Sequence, residues 1–215
     1  MNAVHITGWG LAGLGTGAAL VTVAPRAAVP SVIGRSLAPR AVLIVVGTAA
    51  LFALLAWRIG ATPELLAYSW LAAIGVPLAI TDWTTGQLPT KLILPGYLGL
   101  IVLLAISAAL DHRLYPLVRS LGGMAALLVF YGVLYLVFPG QLGGGDLRLS
   151  GLLGLALGWA GWTAVLGGTL LGWSAAAVWL LMLRMTRRVP HDGDLRLGPF
   201  LLAGALAALL IQPTS

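Results

Sequence analysis

Residues 149–183 read LSGLLGLALGWAGWTAVLGGTLLGWSAAAVWLLML, 35 consecutive residues without a charge. A helix that crosses a bilayer needs roughly 17–25 mostly apolar residues. The run is too long for one crossing and slightly short for two. Whether it breaks decides the number of spans, and with it the side of the membrane on which the last loop lies. The segment GWAGW (Gly158–Trp162) near its middle supplies a break. Its glycines permit a tight turn and its tryptophans suit a membrane interface.

The rest of the chain has the same character. Of 215 residues, 60% are hydrophobic and only 8% are charged, against about 25% charged in an ordinary soluble domain. Lipid is therefore the expected solvent, and the expected fold is all-α: a polytopic transmembrane helical bundle. The other uncharged runs are Met1–Pro25, Ala41–Trp57, Leu65–Thr81, Leu92–Leu110, Ser120–Gly145 and Leu197–Ser215. With the long run split in two, the count is about eight spans.

The basic residues favour that count. With eight spans and the N-terminus outside, the inner loops hold Arg26, Arg35, Arg40, Lys91, Arg148, Arg184, Arg187, Arg188 and Arg196, nine of the twelve basic residues. The outer loops hold Arg58, Arg113 and Arg119. Seven spans would send the last four arginines of the inner set outward, leaving five inside against seven outside, contrary to the positive-inside rule. The net charge of +6 is thereby read as anchoring at an anionic leaflet rather than as a nucleic-acid surface. No cysteine is present, which excludes disulfides and cysteine-ligated metals. His5, His112 and His191 lie far apart and show no metal-ligand spacing. No basic segment precedes the first apolar stretch, so a cleaved signal peptide is not expected. The chain reads as one membrane-embedded domain over residues 1–215, with residues 25–40 a short cytoplasmic loop.

Six acids remain. Glu64 and Asp111 fall on the outer side. Asp82, Asp146, Asp192 and Asp194 fall on the inner side. Asp82 follows the third span and Asp146 the fifth, so both reach one membrane face, as a two-carboxylate site requires. An aspartate in the headgroup zone demands no function by itself, because only acids well inside the bilayer are costly. The local sequences argue for more. Asp82 stands in AITDWTTGQLPTKLILPG, closing an apolar helix before a short polar turn. Asp146 stands in FPGQLGGGDLRLSG, directly after Gly143, Gly144 and Gly145. Small residues commonly serve helix packing in membranes. Glycines before an acid at the membrane edge also let an extended substrate approach the backbone closely. Asp192 and Asp194, flanked by His191 and arginines, read as a solvated loop with local ion pairs.

DWTTGQLP followed by GGGDLRL resembles the type IV prepilin peptidase family, polytopic aspartic proteases of the GxGD type. In that family the first catalytic aspartate is followed, about seven residues on, by a hydrophobic residue and proline; Asp82 with Leu88-Pro89 matches. The second is the aspartate of G-x-G-D followed by x-K-L. Gly143, Gly145 and Asp146 match, with Arg148 in place of the lysine and its charge kept. A late GPF segment is matched by Gly198-Pro199-Phe200. The resemblance spans nearly the whole chain. Many bacterial members carry, after the first span, a cytosolic domain with paired C-x-x-C motifs that accompanies N-methylation. Residues 25–40 are too few to fold as one, so the short, protease-only form is the closer comparison and methyltransferase activity is not expected.

The resemblance implies a membrane aspartic endopeptidase of the bacterial inner membrane, its active site facing the cytoplasm. Asp82 and Asp146 would be catalytic, with Gly143, Gly144, Gly145, Pro89 and Arg148 binding substrate or supporting the site. The substrate would be a pilin-like precursor with a short basic leader before a hydrophobic helix, cut at the cytoplasmic membrane face. Pilus or secretion assembly components are candidate partners. Two close carboxylates suit peptide hydrolysis, because like charges share one proton and so present a base and an acid together; burial at the membrane edge raises the pair's affinity for that proton. No metal or cofactor is called for. A proton-coupled transporter and a non-catalytic scaffold of a pilus or secretion system are the alternatives; the first expects acids in mid-span or an inverted repeat.

Overall fold

The long run breaks at Gly161. This residue lies at φ 148°, ψ 167°, a conformation closed to other L residues, and separates two helices. The computed structural model describes residues 3–27, 37–139, 142–186 and 196–211. Among these, eight helices follow in order: α1 (Ala3–Ala27), α2 (Leu37–Ile59), α3 (Glu64–Thr85), α4 (Thr90–Leu110), α5 (Tyr115–Val137), α6 (Gly144–Ala160), α7 (Trp162–Met185) and α8 (Gly198–Ile211). The expected all-α membrane bundle is what forms. Six of the helices, α1 to α5 and α7, are long and apolar enough to cross a membrane.

The other two are shorter than the uncharged runs suggest. At 1.5 Å per residue, the 17 residues of α6 and the 14 of α8 span about 26 Å and about 21 Å. The hydrocarbon core is about 30 Å thick. Their C-terminal carbonyls are met by arginines from neighbouring helices. Arg119 of α5 donates from Nε to the Gly158 carbonyl (2.8 Å) and from Nη2 to that of Trp159. Its guanidinium also lies 5.6 Å from the centre of the Tyr115 ring. Arg58 of α2 donates from Nε to the Leu210 carbonyl (2.6 Å). Cations at helix C-termini satisfy orphan carbonyls and oppose the negative end of the dipole.

That pairing corrects one boundary. Arg119 does not end a span but lies within α5, which begins at Tyr115 and stops at Val137, well before Gly145. The supposed loop at 25–40 is also narrower, since α1 runs to Ala27 and α2 starts at Leu37. Asp192 and Asp194 lie outside the described residues.

Consecutive helices pair most extensively as α1–α2, α5–α6 and α7–α8, and α3 and α6 are the most enclosed. Between helices in lipid, tight packing replaces the hydrophobic effect as the organising force. In α5–α6, a Cβ at Gly123 would lie 2.5 Å from the Gly154 carbonyl and 2.8 Å from Gly158 Cα. In α7–α8, a Cβ at Gly204 would lie 2.6 Å from the Gly168 carbonyl. These glycines let backbones touch, and they fix α6 and α8 in the middle of the bundle.

Candidate active site

Four helix ends meet at one end of the bundle: the C-terminus of α3 and the N-termini of α4, α6 and α8. Asp82 sits in the last turn of α3. Gly86 ends that helix in the left-handed region (φ 67°), donating its N–H to the Asp82 carbonyl at 2.8 Å; glycine adopts this cap without strain. Gln87, Leu88 and extended Pro89 (ψ 120°) then lead into α4. Gly143 is the N-cap of α6 and Asp146 the third residue of its first turn.

Both carboxylates are buried, Asp82 to 4% exposure and Asp146 to 8%, and both line one cleft. They are placed alike. The Asp146 carboxylate lies back against Gly143, the N-cap of its own helix, and that of Asp82 lies against Gly198 at the start of α8. Two helix N-termini thus turn the positive ends of their dipoles toward two acids. Among the described residues, Asp82 Oδ2 and Asp146 Oδ1 are buried without a hydrogen-bond partner. Leaving buried carboxylate oxygens unmatched is costly, which argues against a purely structural use of this pair.

The acids line an open cleft of about 330 Å³ together with Gly86, Gln87, Leu88, Gly143, Gly144 and Gly145. The glycines divide by what a side chain would meet. A Cβ at Gly198 would come within 2.6 Å of Asp82 Oδ2, and one at Gly143 within 3.2 Å of Asp146 Oδ2. One at Gly145 would strike Leu88 Cβ at 2.7 Å, so the first turn of α6 presses on the segment leading into α4. Gly144 has nothing within 4 Å and leaves bare backbone facing open space.

Of the residues singled out from the sequence, Asp82, Asp146, Gly143, Gly144 and Gly145 come together in the cleft. Pro89 and Arg148 do not line it. Pro89 precedes the first residue of α4. Arg148 is exposed beside α4, where its Nη1 donates to Thr90 Oγ1 at 2.6 Å. Sequence reasoning matched Gly198 only as part of GPF and gave it no place in the site. Leu88, which contacts the positions of both Gly145 and Gly198, was likewise noted only beside Pro89. Arg196, whose Nε would lie 3.7 Å from a Cβ at Gly86, was placed only in an inner loop; which arginine of a cluster faces the site is decided by the packing of α8 on α3.

The fold and cleft define a class: a polytopic helical protein with a pair of buried carboxylates at one end of its bundle. Residues 65–211, more than half of the chain, match the type IV leader peptidase family, and the chain belongs to that family. Searches of curated proteins and of solved structures returned no match. It is thus a member of a peptidase family built from membrane-spanning helices.

Proposed function

We propose that this protein is an aspartic endopeptidase that removes the basic leader from type IV pilin-like precursors at the cytoplasmic face of the bacterial inner membrane. Asp82 and Asp146 are its catalytic residues. The observation that carries the reading is the convergence of two buried carboxylates, from α3 and α6, on one cleft walled by bare glycine backbone.

The ionised member of the pair takes a proton from water as general base. The protonated member polarises the scissile carbonyl and then protonates the departing amine. Asp82 Oδ2 and Asp146 Oδ1, buried and without protein partners, keep a hydrogen-bonding capacity that a water or the scissile carbonyl drawn between the acids would satisfy. The exposed backbone at Gly144 offers an extended precursor segment main-chain hydrogen bonds beside the acids. The precursor's apolar helix lies in the bilayer alongside the enzyme, and its basic leader stays on the side of the cleft.

The test is cleavage of a synthetic precursor by detergent-purified protein, with Asp82→Asn and Asp146→Asn as comparisons. Cleavage lost in both variants at normal abundance supports the reading. Cleavage retained in either refutes the two-aspartate mechanism, and no cleavage by the unaltered protein points to a carrier or a scaffold.

A further inference from the structure

We infer that Tyr97 is a positioning residue, which sets where Asp146 stands opposite Asp82 by tying its hydroxyl to the backbone of α6. The inference rests on the reading above for the role of the two carboxylates.

Tyr97 lies on α4. Its O–H donates to the Arg148 carbonyl at 2.7 Å. That carbonyl begins an i to i+4 rung of α6, two residues after Asp146. Gly151 makes the close approach feasible, because a Cβ there would overlap the Tyr97 hydroxyl. Arg148 is also held by its other end, through Nη1 to Thr90 Oγ1 at 2.6 Å. The helix α4 therefore grips Arg148 by its carbonyl and by its guanidinium. A third contact lies on the other side of Asp146, where Gly145 meets Leu88 just ahead of α4. Asp146 is thus flanked, within the first turns of α6, by attachments to the segment that follows Asp82. Packing alone does not explain the tyrosine: phenylalanine would fill nearly the same volume without placing a polar group against a helix that already has its own hydrogen bonds.

The absence of cysteine permits a direct test. A Cβ at Gly145 would lie 2.7 Å from Leu88 Cβ, and one at Gly10 3.5 Å from Ala53 Cβ. Gly145→Cys with Leu88→Cys reports the α4–α6 register, and Gly10→Cys with Ala53→Cys is the control on α1–α2. In membranes under oxidant, Tyr97→Phe should change the rate of the first disulfide several-fold, since that pair starts closer than the roughly 3.5–4.5 Å between Cβ atoms of a disulfide and closes only as α6 gives, and should leave the second unchanged. In the cleavage assay, without the cysteines, Tyr97→Phe should lower kcat on the order of 10- to 100-fold with KM unchanged, the effect of a misplaced reacting group. The bell-shaped pH profile should narrow, since the separation of its limbs belongs to the coupled pair. Arg196, whose Nε would lie 3.7 Å from a Cβ at Gly86 of the cleft, and Tyr131, bonded to Trp173, are untouched by the substitution. Gly151→Ala, whose Cβ would also press on Leu128 Cδ2 at 2.8 Å, should reproduce these effects alone, and the share of its effect that runs through the Tyr97 hydroxyl should disappear in the Tyr97→Phe background. Unchanged 88–145 crosslinking in Tyr97→Phe overturns the inference. So does an equal change in the rates of both disulfides with a pH profile of unaltered width, which marks a merely structural role. Activity surviving in Asp82→Asn would instead refute the catalytic reading and leave the crosslinking result standing.

Discussion

Replacing Gly198 by alanine should impair activity far more than stability. Gly198 is the first residue of α8 and has no positive φ, so alanine fits its backbone. Alanine is favoured over glycine within helices by up to about 1 kcal/mol, and the fold should tolerate the change. The site should not. The new Cβ would stand 2.6 Å from Asp82 Oδ2, 3.2 Å from Asp82 Cγ and 3.3 Å from Leu88 Cδ1. Non-bonded heavy atoms rest near 3.5 Å, so the carboxylate oxygen must retreat by about 0.9 Å or α8 must lift from α3. A displacement of about 1 Å at a reacting group costs on the order of 100-fold in rate. Gly198→Ala should therefore cleave a synthetic precursor 10- to 100-fold more slowly, on the same order as that figure. Its thermal midpoint in detergent should change little, because the helix propensity gained, up to about 1 kcal/mol, offsets part of an overpacking cost of about 1–3 kcal/mol. Gly167→Ala, on α7 with nothing within 4 Å of the added carbon, serves as the control and should match the unaltered protein in both measurements. A Gly198→Ala protein with undiminished turnover would refute the reasoning, because the close approach of α8 to Asp82 would then have no part in the chemistry.

Other expectations concern the acids, the packing and the topology. Asp82→Asn and Asp146→Asn should each reduce precursor cleavage by at least the 10²–10⁴-fold typical of a lost acid–base group, with membrane insertion judged normal by abundance and protease resistance. Gly154→Leu should lower the thermal midpoint sharply, because Gly154 lies against Met124 Cα (2.9 Å from an added Cβ) and overpacking costs about 1–3 kcal/mol or more. A single cysteine at Thr85 should label only from the cytoplasmic side and one at His112 only from outside; the reverse pattern would place the cleft on the wrong face for a cytoplasmic leader.

Much of this protein was legible in the chain itself. Composition decides the solvent, and in lipid every backbone group must be satisfied within its own helix, so uncharged runs translate almost directly into helices. Gly161 could be anticipated as a break because glycine is the residue that reaches φ 148° without strain. The parity of Asp82 and Asp146 followed from counting helices between them, since alternating direction needs no knowledge of packing. Arg119 shows where such reading stops. A charge looks like the end of a span until a neighbouring helix proves short enough to offer its carbonyls, and that is a property of two helices rather than one. The same holds for the glycines. Gly123, Gly143, Gly154 and Gly198 are alike in the sequence, yet two carry packing between helix backbones and two lie against carboxylates. Only tertiary structure separates them, because what a missing Cβ makes room for is contributed by a helix elsewhere in the chain: α8 pressed against Asp82, Leu88 against the first turn of α6, and the Tyr97 hydroxyl in the groove left by Gly151.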